Sequence, residues 1–409
     1  MSMSLAEKSH LFRRTCFSAS DNLFTATASI TDKESLIDWL LQQPLTDYSY
    51  PQWYESPVAL FELSKEERKS ARRDMVKSLQ EWWQQLLLTS DSPLHEQMVL
   101  FWHNHFVSSI QKVKSPYLML KQNDLFRQKG LSNFKELVAA ILKDPAMLIY
   151  LDNNSNKKGA PNENLARELL ELFTLGEGNY SEHDVQEIAR ALTGATVNKR
   201  IGEYVFRPQW HDDGDKTIFG ETGNFSVDDL ADLIVKQSSC APYIVNKFWL
   251  HFVDLAPVTS EIERLSQLFI DAEYDLSVLL QALLSTDAFW QSQGKLIKSP
   301  VQLIVGSYRQ FSLTELKANH WRALTKNMGQ LLFMPPNVKG WPGGYAWYSS
   351  AAIFYRENFV ERFLHRHRQI ELLTTKEQLL ALEPVAQVNE IANEDDLFLA
   401  MADPAYQVQ

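Results

Sequence analysis

The sequence predicts an all-α protein: a single large, predominantly helical domain that carries one small β-hairpin insertion. Helix start and stop signals recur along the chain, and segments with the strict alternation of strands are scarce. Apolar residues make up 45% of the chain and charged residues 22%, which is an ordinary globular composition with ample material for a core. Most of the helical segments also carry the apolar stripe that helix packing requires.

Capping signals bound the predicted helices. Ser92-Pro93 combines an N-cap with a first-turn proline, and Asn133 caps the following helix. Gly176 ends the helix that begins after Asn162. The predicted helices span residues 33–42, 65–89, 94–110, 134–143, 163–175, 184–194, 226–237, 241–253, 259–272, 276–286, 300–312, 319–333 and 356–369.

Two segments depart from the helical pattern. Residues 196–207 alternate in polarity and turn near Gly202, which predicts a β-hairpin. We expect residues 1–374 to form the helical domain. Residues 375–409 are an acidic, weakly patterned C-terminal tail, whose end we expect to be mobile.

Composition and missing motifs exclude several classes of function. The chain has 40 Lys and Arg against 51 Asp and Glu, and its net charge of −11 disfavours a nucleic-acid partner or an anionic membrane surface. No apolar run predicts a membrane span, and no signal peptide is readable. We therefore expect a soluble, cytoplasmic protein, with a periplasmic or envelope location as the alternative. The motifs of dinucleotide, phosphate-loop, serine-hydrolase and zinc-protease sites are missing from the sequence.

Residues 98–107, MVLFWHNHFV, place two histidines in an apolar helix. Apolar side chains cover nearly its whole circumference, so the helix should be buried on all sides. His103 and His105 then need hydrogen-bond partners, because burying each without one costs about 1–3 kcal/mol. They lie about 200° apart on a regular helix and cannot grip one ion together. Either both are hydrogen-bonded core residues, or one of them faces a site and the other a backbone carbonyl, or the helix is distorted there.

The helix at 163–175 carries an acidic stripe. Glu168 and Glu171 lie on it and Arg167 borders it. A solvated face with ion pairs explains this pattern, but two carboxylates three residues apart also bind a metal or share a proton in helical bundles. The helix at 184–194 repeats the pattern, with Arg190 on its polar side.

Two loops add further candidates. His211, Asp212 and Lys216 crowd a turn that is either an ordinary surface turn or a loop that completes a mixed histidine and carboxylate site. Such a site suits Zn, Mn or Fe. The loop NVKGWPGG presents Lys339 and Trp341, either as the rim of a substrate site or as a rigid surface connection.

Long and distinctive stretches make the chain recognisable. They include LFRRTCFSAS, LFWHNHFVSS, HDDGDKTIFG, KSPVQLIVGSYR and MGQLLFMPPNVKGWPGG, and the longest runs from DPAMLIYLDNNSNKKG to DVQEIARALTG. On these, the chain resembles the bacterial domain of unknown function 1800 family over nearly its whole length. Ala195 departs from the Trp that usually follows Thr-Gly. The resemblance implies a mainly helical protein without an established activity, often encoded beside a sulfatase-like protein of the domain of unknown function 1501 family.

The sequence leaves three functional hypotheses. The first is a metal-dependent or acid–base enzyme, in which a bound divalent ion could activate water for hydrolysis. The second is a non-catalytic binding or maturation partner of the sulfatase-like protein. The third is recognition of a glycan or envelope polymer through Trp53, Trp210, Trp341 and Trp347. For the enzyme, the expected metal ligands are His103, His105, Glu168, Glu171, His211 and Asp212. The groups expected to act on the substrate are Glu168, Glu171, His105, Arg167, Arg190 and Lys216.

Overall fold

The computed structural model describes residues 3–55, 63–367, 370, 372 and 374–409, and the protein is predominantly helical over these residues, as predicted. The first helices are α1 (Leu5–Cys16), α2 (Asp21–Ala26), α3 (Lys33–Leu41), α4 (Lys65–Thr89), α5 (Pro93–His105), α6 (Ile110–Val113), α7 (Pro116–Lys129), α8 (Phe134–Ile141), α9 (Pro145–Tyr150), α10 (Asn164–Glu168) and α11 (Glu182–Ala191). The later helices are α12 (Val227–Val235), α13 (Cys240–Phe252), α14 (Thr259–Asp271), α15 (Leu276–Leu284), α16 (Asp287–Trp290), α17 (Pro300–Gln310), α18 (Ala318–Asn327), α19 (Ser350–Arg366), α20 (Lys376–Leu379) and α21 (Glu394–Ala402). Across the described residues, none of the helices is long and apolar enough to cross a membrane.

Helix α5 lies in the interior. It packs against α1, α4 and α7, and its aromatic side chains also contact α13. Residues 96–103 are buried, as the apolar circumference of this helix predicts, and so is His105. Asn104 between them is exposed. The helix is therefore buried over most of its surface, and Asn104 in its last turn is exposed.

The helices α5 and α18 end at least five residues before the predicted position. α5 ends at His105, because Phe106 leaves the helical conformation with φ −89° and ψ 74°. α18 ends at Asn327, two residues before Gly329, whose φ of +89° is a left-handed conformation that glycine adopts readily. The early end of α5 matters for function, since it places Asn104 in the last helical turn.

Four strands lie between α11 and α12: β1 (Ala195–Asn198), β2 (Glu203–Phe206), β3 (Lys216–Ile218) and β4 (Glu221–Gly223). β1 and β2 form the predicted antiparallel hairpin, with Ala195 opposite Phe206. β3 and β4 form a second antiparallel hairpin, which the sequence does not predict, with Lys216 opposite Gly223. The second hairpin contacts α11 through β3.

The C-terminal segment packs against the rest of the molecule. Met401 and Tyr406 are buried, the Lys298 ammonium donates to the Tyr406 carbonyl at 2.6 Å, and the Arg356 Nε donates to Gln407 Oε1 at 2.8 Å. The end of the chain is therefore held by buried contacts, and the expectation of a mobile end is wrong. α19 covers most of the helix predicted at 356–369, of which residues 368 and 369 lie outside the described residues.

Candidate functional site

Two adjacent cavities open at the C-terminal end of α5. The larger has a volume of about 570 Å³ and the smaller of about 280 Å³. Four residues line both of them: Asn104, His105, Lys247 and Lys339. We call the two cavities together the cleft. These four side chains lie at its centre, where the two cavities meet.

His105 is a buried, neutral imidazole at this centre. Its Nε2 donates a hydrogen bond to the Phe173 carbonyl at 2.9 Å, so the neutral ring carries its proton there and Nδ1 is the unprotonated nitrogen. Burial and the positive charge of Lys247 lower the pKa of His105 to about 3. Only 7% of the surface of His105 is exposed, and its ring is uncharged at neutral pH.

The carbonyl that orients His105 belongs to a π-helix. α10 continues without a break as a π-helix over Leu169–Thr174, and the Leu175 amide donates to the Leu170 carbonyl five residues earlier. Phe173 lies in its last turn, where carbonyl groups lack a partner within the helix. π-Helical turns are rare and occur frequently at functional sites. This turn supplies the hydrogen-bond acceptor that holds the His105 ring.

The same helical segment brings carboxylates to the cleft. Glu171 lines the smaller cavity and accepts a hydrogen bond from the Tyr180 hydroxyl at 3.1 Å. Glu177, in the loop that follows, lines the same cavity. Glu168 is half-buried nearby, where burial and the charge of Glu171 raise its pKa, while Arg167 and Lys339 act in the opposite direction. Of the two predicted carboxylates, Glu171 therefore lines the cleft and Glu168 does not.

Two lysines supply positive charge at the centre. Lys247 comes from α13 and Lys339 from the loop after α18. Among the residues described by the structure, neither ammonium group has a hydrogen-bond acceptor or an ion-pair partner, although the Lys247 ammonium lies 4.9 Å from the Tyr243 ring centroid. Burial lowers the pKa of Lys247. These two charges are available to a ligand.

The loop that carries Lys339 is docked on Asn104. The Trp341 amide donates to Asn104 Oδ1 at 2.6 Å. Gly340 has a φ of +88°, and a Cβ at this position would lie 2.3 Å from Asn104 Oδ1. Only glycine combines this conformation with so close an approach. The contact leaves the Asn104 Nδ2 amide without a partner among the described residues.

The larger cavity has apolar and neutral polar walls in addition to the four central residues. Its apolar lining is formed by Leu100, Phe101, Leu250, Leu255, Ile297 and Trp347. Gln302, Gln330 and Gln409 also line it. Gln330 Oε1 accepts from the Val301 amide at 2.9 Å, whereas Gln409 Oε1 is buried without a partner in the described structure. The cleft thus combines charged, apolar and neutral polar surfaces.

A family model matches nearly the whole chain. The family model described as "Protein of unknown function (DUF1800)" matches residues 10–408. The chain belongs to the DUF1800 family. The resemblance noted from the sequence is confirmed, and the match includes α5, the π-helix and the loop docked on Asn104. Searches of curated proteins and of solved structures found no match to the chain.

Three predicted residues of this DUF1800 protein, Arg190, Asp212 and Lys216, lie outside the cleft, in a network with Glu187 that joins α11 to the second hairpin. Arg190 Nε donates to Asp212 Oδ2 at 2.9 Å, and its Nη1 donates to both carboxylate oxygens of Glu187 at 2.9 Å. Lys216 is fully buried and its ammonium donates to the Gly214 carbonyl at 3.0 Å. We call Glu187, Arg190, Asp212 and Lys216 the clamp.

The clamp holds the second hairpin on α11. The Thr217 amide donates to Glu187 Oε2 at 2.9 Å, and the Lys216 ammonium also donates to Asn224 Oδ1 at 3.0 Å. His211, from the same loop, donates from Nδ1 to the Thr193 carbonyl at 2.8 Å. These side chains are occupied by contacts within the protein, and none of them lines the cleft.

His103 and Arg167 have partners elsewhere. His103 Nε2 accepts from Asn123 Nδ2 at 3.0 Å inside the core, and burial lowers its pKa to about 3. It lies on the opposite side of α5 from His105, as the predicted 200° separation requires. Arg167 pairs with Glu163 and Glu182 at the surface.

The six predicted metal ligands do not all lie at one site. Of the six, His105 and Glu171 line the cleft. Within the described part of the chain, no three His, Cys, Asp or Glu side chains are placed to hold one ion. A divalent ion in the cleft would therefore take its remaining ligands from water or substrate.

Trp341 and Trp347, two of the tryptophans predicted to contact a ligand, are buried. Trp341 is only 3% exposed and lines neither cavity, so Lys339 is the rim residue of that loop. Trp347 is also buried, whereas Trp53 and Trp210 are partly buried. The glycan hypothesis thus retains two of its four tryptophans as partly accessible side chains.

Helix α13 contributes two basic residues to the cleft that were not predicted from the sequence. Lys247 and His251 are spaced i, i+4 and both line the larger cavity. Burial and the charge of Arg14 lower the pKa of His251 to about 4. The sequence signal for this contribution is the presence of two polar residues on one face of a mostly apolar helix.

Proposed function

We propose that the cleft is the active site of an acid–base enzyme that acts on an anionic substrate. One observation carries the proposal: two lysine ammonium groups without partners among the described residues flank a buried histidine whose Nδ1 is unprotonated. Perturbed titratable groups that converge in a concave pocket are the usual composition of an active site.

Each central residue has a distinct role in this proposal. Lys247 and Lys339 bind the negative group of the substrate, and the free amide of Asn104 donates a further hydrogen bond to it. His105 accepts a proton at Nδ1. Burial and the charge of Lys247 oppose protonation of His105. A bound anion offsets that charge and raises the pKa of His105 towards neutrality, where a general base is effective.

The proposed chemistry is hydrolysis. A water molecule gives its proton to His105 Nδ1 as its oxygen forms a bond to the electrophilic atom of the substrate. The negative charge that develops on the substrate is stabilised by the lysines. When the bond to the leaving group breaks, the proton moves from His105 to the leaving group, and the ring returns to its neutral form.

The metal-dependent form of the enzyme is a variant of this proposal. His105 and Glu171 would supply two protein ligands to Zn, Mn or Fe, and the ion would lower the pKa of a bound water. The hydrogen bond from His105 to a backbone carbonyl is the outer contact that metal-binding histidines usually make. Elemental analysis of protein purified without chelators or a histidine tag tests this variant. A metal content far below one ion per chain contradicts it.

The enzyme proposal is tested with a panel of chromogenic esters, phosphate esters and amides. We expect turnover of one class, and a loss of about 10²–10⁴-fold in kcat/KM in His105→Gln. His211→Gln, a histidine outside the cleft, is the matched control and should keep the wild-type rate. A rate in His105→Gln equal to wild type overturns the role of His105. Absence of turnover across the panel, with no compound raising the melting temperature, counts against an enzyme.

A second proposal is a binding or maturation partner of a sulfatase-like protein of the domain of unknown function 1501 family. We propose a surface of exposed aromatic side chains for it: Tyr345, which lines the larger cavity, is 79% exposed, and Phe354 is 60% exposed. Exposed aromatic side chains are enriched where proteins bind one another. Co-purification with wild type and with Tyr345→Ser and Phe354→Ser variants tests it. A complex that the two substitutions leave unchanged removes this surface from the proposal.

A further inference from the structure

We propose that the cleft binds the C-terminal end of a peptide whose last residue is basic. This inference rests on the proposed function of the cleft and names its substrate class. Three surfaces support it, and each complements a different part of such a peptide.

The first surface is the pair of lysines. Lys247 and Lys339 are at the meeting point of the two cavities and have no acceptor among the described residues. A terminal carboxylate would accept charge-assisted hydrogen bonds from both, and these are stronger than bonds between neutral groups. The free Asn104 amide lies at the same place.

The second surface is the smaller cavity. Glu171 and Glu177 line it, and neither forms an ion pair with the two lysines that line it too. Unpaired charges of both signs in one cleft favour a ligand that carries both signs itself. A C-terminal Lys or Arg residue has this property, because its carboxylate and its cationic side chain leave the same Cα. The carboxylate meets the lysines, and the side chain enters the smaller cavity.

The third surface is the larger cavity, which would receive the preceding residues. Its apolar wall accommodates an apolar side chain. Gln409 also lines this cavity, and its Oε1 is buried without a hydrogen-bond partner in the described structure, so an alkyl chain placed against it would leave that oxygen without a donor. Peptide groups supply both donors and acceptors. The Gln409 oxygen therefore favours a peptide over a fatty acid, which would otherwise match the lysines and the apolar wall.

The test measures binding of fluorescent tetrapeptides to the full chain by anisotropy. The probes are Ala-Leu-Leu-Arg with a free carboxylate, the same peptide with a C-terminal amide, and Ala-Leu-Leu-Glu; laurate and inorganic phosphate are competitors. We expect the free-acid Arg peptide to bind about tenfold or more tightly than its amide. Lys247→Gln should abolish that difference, and Glu171→Gln should abolish the preference for Arg over Glu. Lys236→Gln, an exposed lysine outside the cleft, is the matched control.

Several outcomes overturn the inference: no binding by any peptide, equal affinity of acid and amide, or tighter binding of laurate or phosphate. The same result in Lys247→Gln as in wild type overturns it as well. Hydrolysis of another substrate class without peptide binding contradicts this inference and leaves the proposed enzyme intact. Peptide binding without turnover supports this inference and contradicts the enzyme. Melting curves of all variants establish that each is folded.

Discussion

The cleft and the clamp contain similar charged side chains, but they use them differently. In the clamp, Arg190 bridges Glu187 and Asp212, and the buried Lys216 has two acceptors. In the cleft, Lys247 and Lys339 have neither acceptors nor ion-pair partners among the described residues. Charges that partner one another stabilise the fold and are not available to a ligand. Charges held without partners at a cavity remain available to a ligand. Whether a charged side chain has a partner within the protein therefore distinguishes the structural residues from the candidate functional ones.

The largest effect expected from this comparison is in the clamp. Arg190→Met leaves Glu187 and Asp212 facing each other without a cation, and should lower the free energy of unfolding by about 3 kcal/mol, because hydrogen bonds to charged groups are lost and two carboxylates repel. Urea denaturation measures this. Arg167→Met, which removes two surface ion pairs, is the matched control and should cost under about 1 kcal/mol. Equal effects of the two substitutions would contradict a special role for the clamp.

The next effect concerns the loop that borders the cleft. Gly340→Ala adds a Cβ at a φ of +88° and 2.3 Å from Asn104 Oδ1, so the loop must move away from Asn104. We expect a loss of about 1–3 kcal/mol in unfolding free energy from the backbone conformation, together with weaker ligand binding in the cleft. Gly343→Ala is the control, since a Cβ there meets nothing within 4 Å. If both variants behave as wild type, the docked loop does not shape the site.

The third prediction uses pH to examine the histidine of the cleft. The pKa of His105 is about 3 in the folded protein and near 6.5 in an unfolded chain. Between pH 6.5 and pH 3, His105 binds a proton in the unfolded state but not in the folded state. Its contribution to the free energy of unfolding is therefore complete above pH 6.5 and is lost as the pH falls towards 3.

His105→Gln should make the fall in unfolding free energy shallower by about 1.4 kcal/mol per pH unit in that window. His10, His103 and His251 act in the same direction as His105, while burial raises the pKa of Asp144 to about 7 and gives it the opposite sign. Urea titrations from pH 7.5 to 4.5 compare the variant with wild type, which cancels the shared contributions. Parallel curves would mean that His105 becomes protonated in the folded cleft.

The smallest effect is expected from the unpaired lysine. Burial lowers the pKa of Lys247, which means that its charge is disfavoured in the folded state. Lys247→Met should therefore leave the unfolding free energy unchanged or raise it by under about 1 kcal/mol, while ligand binding falls. Lys339→Met, at an exposed position, should leave stability unchanged. A loss of more than about 1 kcal/mol in Lys247→Met would reveal a structural role for its ammonium group.

Much of the fold could be predicted from local patterns. Ser64 and Asn133 cap helices through their side chains, Pro93 begins α5, and β1 and β2 pair around the predicted turn. The burial of residues 96–103 also follows from their composition. These features depend on neighbours in the sequence or on the period of apolar residues, so one sequence is sufficient to infer them.

The candidate site was predicted only in part. His105, Glu171 and Lys339 were named from the sequence and line the cleft, whereas Lys247 was missed. Arg190, His211, Asp212 and Lys216 belong instead to contacts between α11 and the second hairpin. A single sequence shows that a side chain is polar, but not which distant group forms hydrogen bonds with it.

The sequence by itself determined that this protein is helical, that it belongs to the DUF1800 family, and that α5 carries two buried histidines. Helix period, capping and long ordered motifs are local properties, and they survive without knowledge of packing. Only the tertiary structure decided that His103 belongs to the core and His105 to the cleft. The reason is that one ring meets Asn123 and the other meets the Phe173 carbonyl, partners 20 and 68 residues away along the chain. Other long-range contacts pair the charged side chains of the clamp with one another, whereas the lysines of the cleft have no such partners among the described residues and remain available to a ligand.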